Sequence, residues 1–111
     1  MPLLDKLRAQ ELERLARARF DANLTEAELR ILRDSASSVD PPWPDENTPK
    51  PEIRAEFLRW LATDAEAAAH IDPRGIRVWG ATVPGTLDLD ECRVSARLDF
   101  RRCEFEEEIN L

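Results

Sequence analysis

The chain is poor in the residues that most site chemistry needs. Its 111 residues contain one histidine, two cysteines and three glycines. A lone His70 excludes a His-based catalytic triad or a two-histidine metal site within one chain. Cys92 and Cys103 are too few for a disulfide-stapled secreted mini-protein, and their eleven-residue separation is not metal-ligand spacing. Gly75, Gly80 and Gly85 recur every five residues instead of crowding into a phosphate-cradling loop, so they read as chain corners. No apolar run approaches the ~18 residues of a membrane helix. The opening Met1-Pro2-Leu3-Leu4-Asp5-Lys6 lacks the charged-then-apolar pattern of a secretory signal. Basic residues are in the minority, 16 against 23 acidic ones, for a net charge of −7. Acids outnumber bases in residues 1–40, 41–70 and 71–111 alike, which argues against a nucleic-acid binder held by phosphate contacts. The composition therefore predicts a cytoplasmic protein with no catalytic residue, metal or cofactor, no direct nucleic-acid binding and no membrane segment.

What is present begins with helical spacing. Leu4, Leu7, Leu12, Leu15, Ala16 and Phe20 form an apolar stripe on a helix from Leu3 to Phe20, with a charged, solvated opposite face. Thr25-Glu26-Ala27-Glu28 is a capping box, in which Thr25 and Glu28 exchange side-chain to backbone hydrogen bonds. Leu24 and Leu29 are placed as its hydrophobic staple, and a helix from about Glu26 to Ala36 follows, with Leu29 and Leu32 facing inward. Residues 1–40 are thus a helical region. Pro41, Pro42, Pro44 and Pro49 make 41–50 a proline-rich linker. Trp43 in its middle is expected to pin the loop to its own domain rather than to serve as a docking segment. A third helix is predicted to start near Pro51, with Ile53, Phe57, Trp60 and Leu61 on its apolar face. Thr63 with Glu66 would cap a short alanine-rich turn ending at His70, where a cation suits the helix carbonyls.

After His70 the period changes. Ile76 and Val78, Ala81 and Val83, Leu87 and Leu89, Cys92 and Val94, Leu98 and Phe100, Cys103 and Phe105, and Ile109 and Leu111 are pairs two residues apart. The second members advance in alternating steps of five and six. Each pair supplies the inward side chains of a very short strand, and the residues between pairs turn a corner. The first members alternate large and small, which fills a narrow tube without voids. Four such faces make about 22 residues per turn, so residues 71–111 predict a short right-handed β-helix. The rival is an antiparallel hairpin stack, disfavoured because only Pro84-Gly85 is a strong turn signal. The fold class is α+β, with N-terminal helices capping the coil.

These units resemble the pentapeptide-repeat family, whose five-residue unit places a small residue and a Leu or Phe inside a coil. Arg54-Ala55-Glu56-Phe57-Leu58-Arg59-Trp60-Leu61, followed by Pro73 to Ala81, is similar to the helical lead-in of a bacterial subgroup. The resemblance covers residues from about 52 onward. The units depart from it by alternating five and six residues and by lacking a strict Ala-Asp/Asn-Leu core. It implies a longer tube than one and a half turns, so a fragment of a longer, membrane-associated relative is one alternative. Another is an acidic mimic of duplex DNA that binds a topoisomerase, as some rod-like dimeric members are.

The remaining constellations read as structural. Glu104, Glu106, Glu107 and Glu108 fall on an outer wall or corner. Arg93, Arg97, Arg101 and Arg102 lie among acids and pair with them, and Cys92 and Cys103 occupy small inward positions as buried thiols. Phe57, Trp60 and Trp79 are the candidate seam between cap and coil. Ile109 and Leu111 end the coil uncovered, so they are the candidate interface, for a protein partner or for a homodimer through the C-terminal coil. The sequence thus points to a non-enzymatic interaction or scaffold module.

Overall fold

The computed structural model describes residues 3–20, 23–39, 41–42, 50–89, 93–106 and 109–110, the last two by their backbone. Four helices, α1 (Leu3–Phe20), α2 (Glu26–Ala36), α3 (Ala55–Thr63) and α4 (Ala65–Ala68), precede six short strands. The strands are β1 (Ile76–Trp79), β2 (Thr82–Val83), β3 (Leu87–Asp88), β4 (Leu98–Arg101), β5 (Glu104–Phe105) and β6 (Ile109–Asn110). The architecture is α+β. Trp43, Cys92 and Leu111 lie outside the described residues, as does the side chain of Ile109.

The first two helices end where the spacing and the caps put them, but α1 is rotated from its expected face. Its buried residues are Asp5, Leu12, Ala16 and Phe20, whereas Leu4 and Leu7 are exposed. An acid takes the inward position because α2 ends there with donors. The Asp5 carboxylate accepts from the Ser38 N–H at 2.9 Å and from the Ser38 and Ser37 hydroxyls at 3.0 and 3.3 Å. The capping box of α2 forms as predicted: Glu28 N–H donates to Thr25 Oγ1 at 3.2 Å, and Thr25 N–H to Glu28 Oε1 at 3.1 Å.

The third helix differs from its sequence expectation. It begins at Ala55, not Pro51, because residues 51–53 run extended beside β2. Thr82 N–H donates to the Pro51 carbonyl, and Ile53 N–H to the Thr82 carbonyl, each at 2.9 Å. A proline suits this arrangement, since only its carbonyl is asked to bond. Asp64, not Thr63, caps α4 by accepting from Ala67 N–H at 3.0 Å; the Thr63 hydroxyl instead donates back to the Arg59 carbonyl.

The strands form three parallel pairs, β1 with β4, β2 with β5 and β3 with β6. Their registers pair Ile76 with Leu98, Thr82 with Glu104 and Leu87 with Ile109. Each partner lies 22 residues further along the chain. The corners repeat with the same period. Gly80 has φ +71°, and Arg102, 22 residues on, has φ +52°. Gly75 has φ +97°, and a Cβ there would meet the Arg97 carbonyl oxygen at 2.5 Å, so the following layer sits directly against it.

Burial separates the two layers of strands. Ile76, Val78, Ala81, Val83, Leu87 and Leu89 are buried, while Leu98, Phe100, Cys103 and Phe105 are half-buried. The first set lies between helices and a second layer; the second set is covered from one side among the described residues. Each large aliphatic in the first set contributes roughly 1.5–3 kcal/mol by leaving water. Val94 breaks the expected alternation. It is 46% exposed and lies in no strand, and the backbone beside it turns to α3, where Ser95 N–H donates to the Ala62 carbonyl at 2.7 Å.

Candidate functional site

The two edges of the strand layers are treated differently, and this asymmetry defines the candidate surface. In a parallel pair, alternate residues direct their main-chain groups to opposite sides. Ile76 and Gly80 N–H donate toward the second layer, to Arg97 and Arg101 carbonyls at 2.7 and 2.8 Å. Arg77, between them, turns the other way, and its N–H reaches Ser35 Oγ of α2 at 3.3 Å. Thr82 likewise turns away from β5 and bonds residues 51 and 53. The helix-side edges of β1 and β2 are therefore occupied by α2 and by the extended 51–53 segment.

Among the described residues the second layer has no such cover. Glu104 and Glu106 N–H donate to Ala81 and Val83 carbonyls at 2.9 and 3.2 Å, so the main-chain groups of Phe105 face the opposite edge. By the same alternation those of Leu98 and Phe100 do too. Among the described residues no strand pairs with that edge. An uncovered row of N–H and C=O groups is a template for another chain.

Polar contacts tie the helices to one another. Arg54, at the start of α3, forks onto the buried Glu28 carboxylate, Nε to Oε2 and Nη2 to Oε1, both at 2.8 Å. Burial alone would raise the Glu28 pKa, but the hydrogen bonds from Arg54 and Thr25 and the Arg54 charge outweigh it and hold the group below its ordinary 4.5. Arg54 also lies 5.1 Å from the centre of the Phe20 ring. Asp5 is held below 3.8, chiefly by the Ser38 N–H. Asp34 goes the other way: burial raises it, against the opposing pull of Arg30, Arg77 and Arg33.

Arg77 is the buried cation that sequence reasoning missed. Alternation sends it outward from β1, yet it is 1% exposed because α2 covers that face. Its guanidinium donates to the Val39 carbonyl at 2.9 Å and to the Ser37 carbonyl, just past the end of α2, with Asp72 Oδ1 at 4.0 Å. A lone arginine between two apolar residues gives no signal that a helix end waits for it.

The aromatic cluster in the structure joins α1 to α3. Phe57 is buried and Trp60 half-buried, their rings 6.1 Å apart, and both meet Phe20, at 5.9 and 5.7 Å. Phe20, assigned only to its own helix, completes this cluster. Trp79 lies elsewhere, on β1 under the Arg101 guanidinium at 4.4 Å, across the β1–β4 register. The Cys103 thiol donates to the Val78 carbonyl at 2.9 Å, and burial raises its pKa.

Among the described residues, two grooves open on the helices. One, of about 490 Å³, lies between α1 and α2, lined by Lys6, Gln10, Glu13, Glu26, Leu29 and Arg33 among others. The other, of about 520 Å³, lies between α3, α4 and the corner at Arg93, Val94 and Ser95. Among the described residues, no cluster of three or more His, Cys, Asp or Glu could hold a metal ion, and no helix is long and apolar enough to cross a membrane. No protein-family model matches the chain, and no curated protein or solved structure matches it.

Proposed function

We propose that the strand-bearing half is a short right-handed β-helix of the pentapeptide-repeat kind, and that the chain acts as a non-enzymatic interaction or scaffold module. The observation that carries this reading is the common 22-residue offset of the three parallel strand pairs, repeated by the Gly80 and Arg102 corners. A coil of four short faces with five- and six-residue units has that period. The helices and the extended 51–53 segment are its cap: they satisfy the edges of the first turn and bury its open mouth under Ile53, Phe57, Leu58 and Leu61.

The working surface in this reading is the edge of the second turn. Its partner is a protein that adds backbone to that edge, and a second copy in an isologous dimer is the simplest occupant. Ile109, whose strand closes the turn, and Leu111 are the residues assigned to it.

Molar mass by light scattering on a sizing column, over a concentration series, tests the assignment. The expected result is self-association whose molar mass Ile109→Asp or Leu111→Asp lowers while circular dichroism stays unchanged. A monomer at every concentration, or a dimer indifferent to both substitutions, overturns the self-association through this edge.

A further inference from the structure

The α1–α2 groove carries a charge pattern that matches itself end to end. The first turn of α1 meets the end of α2 through Asp5 and Ser38, so the two helices run in opposite directions. Lys6 and Arg33 consequently share one end of the groove, and Glu13 and Glu26 the other. Lys6 to Glu13 and Glu26 to Arg33 are both seven-residue steps, about two turns or 10 Å of helix. Each step returns to the same helix face, so both helices present one positive and one negative end along one line.

The adjoining face of α1 is apolar and exposed over its first two turns. Leu3, Leu4 and Leu7 are 72%, 58% and 50% exposed, and Leu3 and Leu7 lie within about 40° of each other around the helix. Exposed leucines grouped beside a groove mark a contact surface rather than chance exposure. Glu13 also holds Arg17 at 3.0 Å on its solvent side, but such an exposed pair along one helix contributes little and leaves the carboxylate accessible.

We infer that this groove is a second self-association site, in which α1 of another copy lies antiparallel across it. A two-fold axis through the middle of the groove superposes the Lys6–Arg33 end of one copy on the Glu13–Glu26 end of the other. It also carries the leucines of each copy to the other's groove. No other orientation of a second copy satisfies all four charges, since a parallel one sets like ends together. The site is separate from the strand edge of the second turn, at the opposite end of the chain.

Charge reversal distinguishes this site from the strand edge. Molar mass is read over a concentration series for Ile109→Asp alone, with Lys6→Glu added, and with both Lys6→Glu and Glu13→Lys added. The expected sequence is a dimer with Ile109→Asp, a roughly tenfold weaker one when Lys6→Glu sets acid against acid in both symmetry-related contacts, and recovery when Glu13→Lys restores the pairing. Lys6 is exposed and Glu13 lies at the groove rim, so these changes leave the core untouched. A monomer with Ile109→Asp alone overturns the groove site and leaves the strand edge standing. A dimer that ignores Lys6→Glu overturns it as well. A wild-type mass that Ile109→Asp fails to lower, with Lys6→Glu alone producing monomer, supports the groove and removes the strand edge.

Discussion

Arg54 and Glu28, 26 residues apart, are joined by two parallel 2.8 Å hydrogen bonds, and the same carboxylate closes the capping box of α2. One acid therefore starts one helix and anchors the next. Arg54→Ala leaves that carboxylate buried without its fork and should cost about 3 kcal/mol. Arg54→Lys keeps the charge but loses the planar fork, and should cost roughly half as much. Denaturant midpoints of the two variants check this; equal losses would mean that charge alone matters.

The acid limb of stability follows from Glu28 and Asp5. Both have folded pKa values below their ordinary 4.5 and 3.8, so the native state holds fewer protons than the unfolded chain as these groups titrate. Their stabilisation is present above those ordinary values and is lost as pH falls through the lowered ones. Melting temperature should hold from neutrality to about pH 5 and fall below it, with a shallower acid fall in Arg54→Ala.

Asp34 should behave in the opposite sense. Its folded pKa is raised by burial, so the native state binds the extra proton and the charged form opposes folding at neutral pH. Asp34→Asn should then stabilise the protein by roughly 0.5 kcal/mol at pH 7. The gain should vanish below pH 3.8, where the native and unfolded acids are both protonated. A loss at pH 7 would show that the Arg30 contact at 3.7 Å outweighs desolvation.

Arg77 tests whether a buried cation is held by charge or by shape. Its guanidinium spans the Ser37 and Val39 carbonyls, which a lysine cannot reach together. Arg77→Lys should cost about 2 kcal/mol despite the conserved charge. A neutral result in thermal melts would mean that α2 is held to β1 by apolar contact instead.

Gly75 and Gly85 separate backbone strain from layer contact. Both have positive φ, but among the described residues only Gly75 has the next layer against it, while a Cβ at Gly85 meets none of them within 4 Å. Gly85→Ala should cost about 1 kcal/mol and Gly75→Ala roughly 3 kcal/mol. Equal losses in denaturant melts would remove the Arg97 contact from the account.

The sequence by itself determined what depends on near neighbours. Thr25 and Glu28 announce a cap because their bonds close within four residues, and the five-and-six spacing announces the 22-residue register because that period is written in the order of the chain. Position and cover were decided by tertiary structure. Pro51 could have opened a helix, but the edge of β2 recruits its carbonyl into an extended segment. Arg77 has the pattern of an outer-wall residue, and only the docking of α2 buries it. Spacing names no neighbour for Trp79, and only the register places Arg101 over its ring. In each case the deciding partner lies more than twenty residues away, and local spacing carries no record of which surfaces folding will bring together.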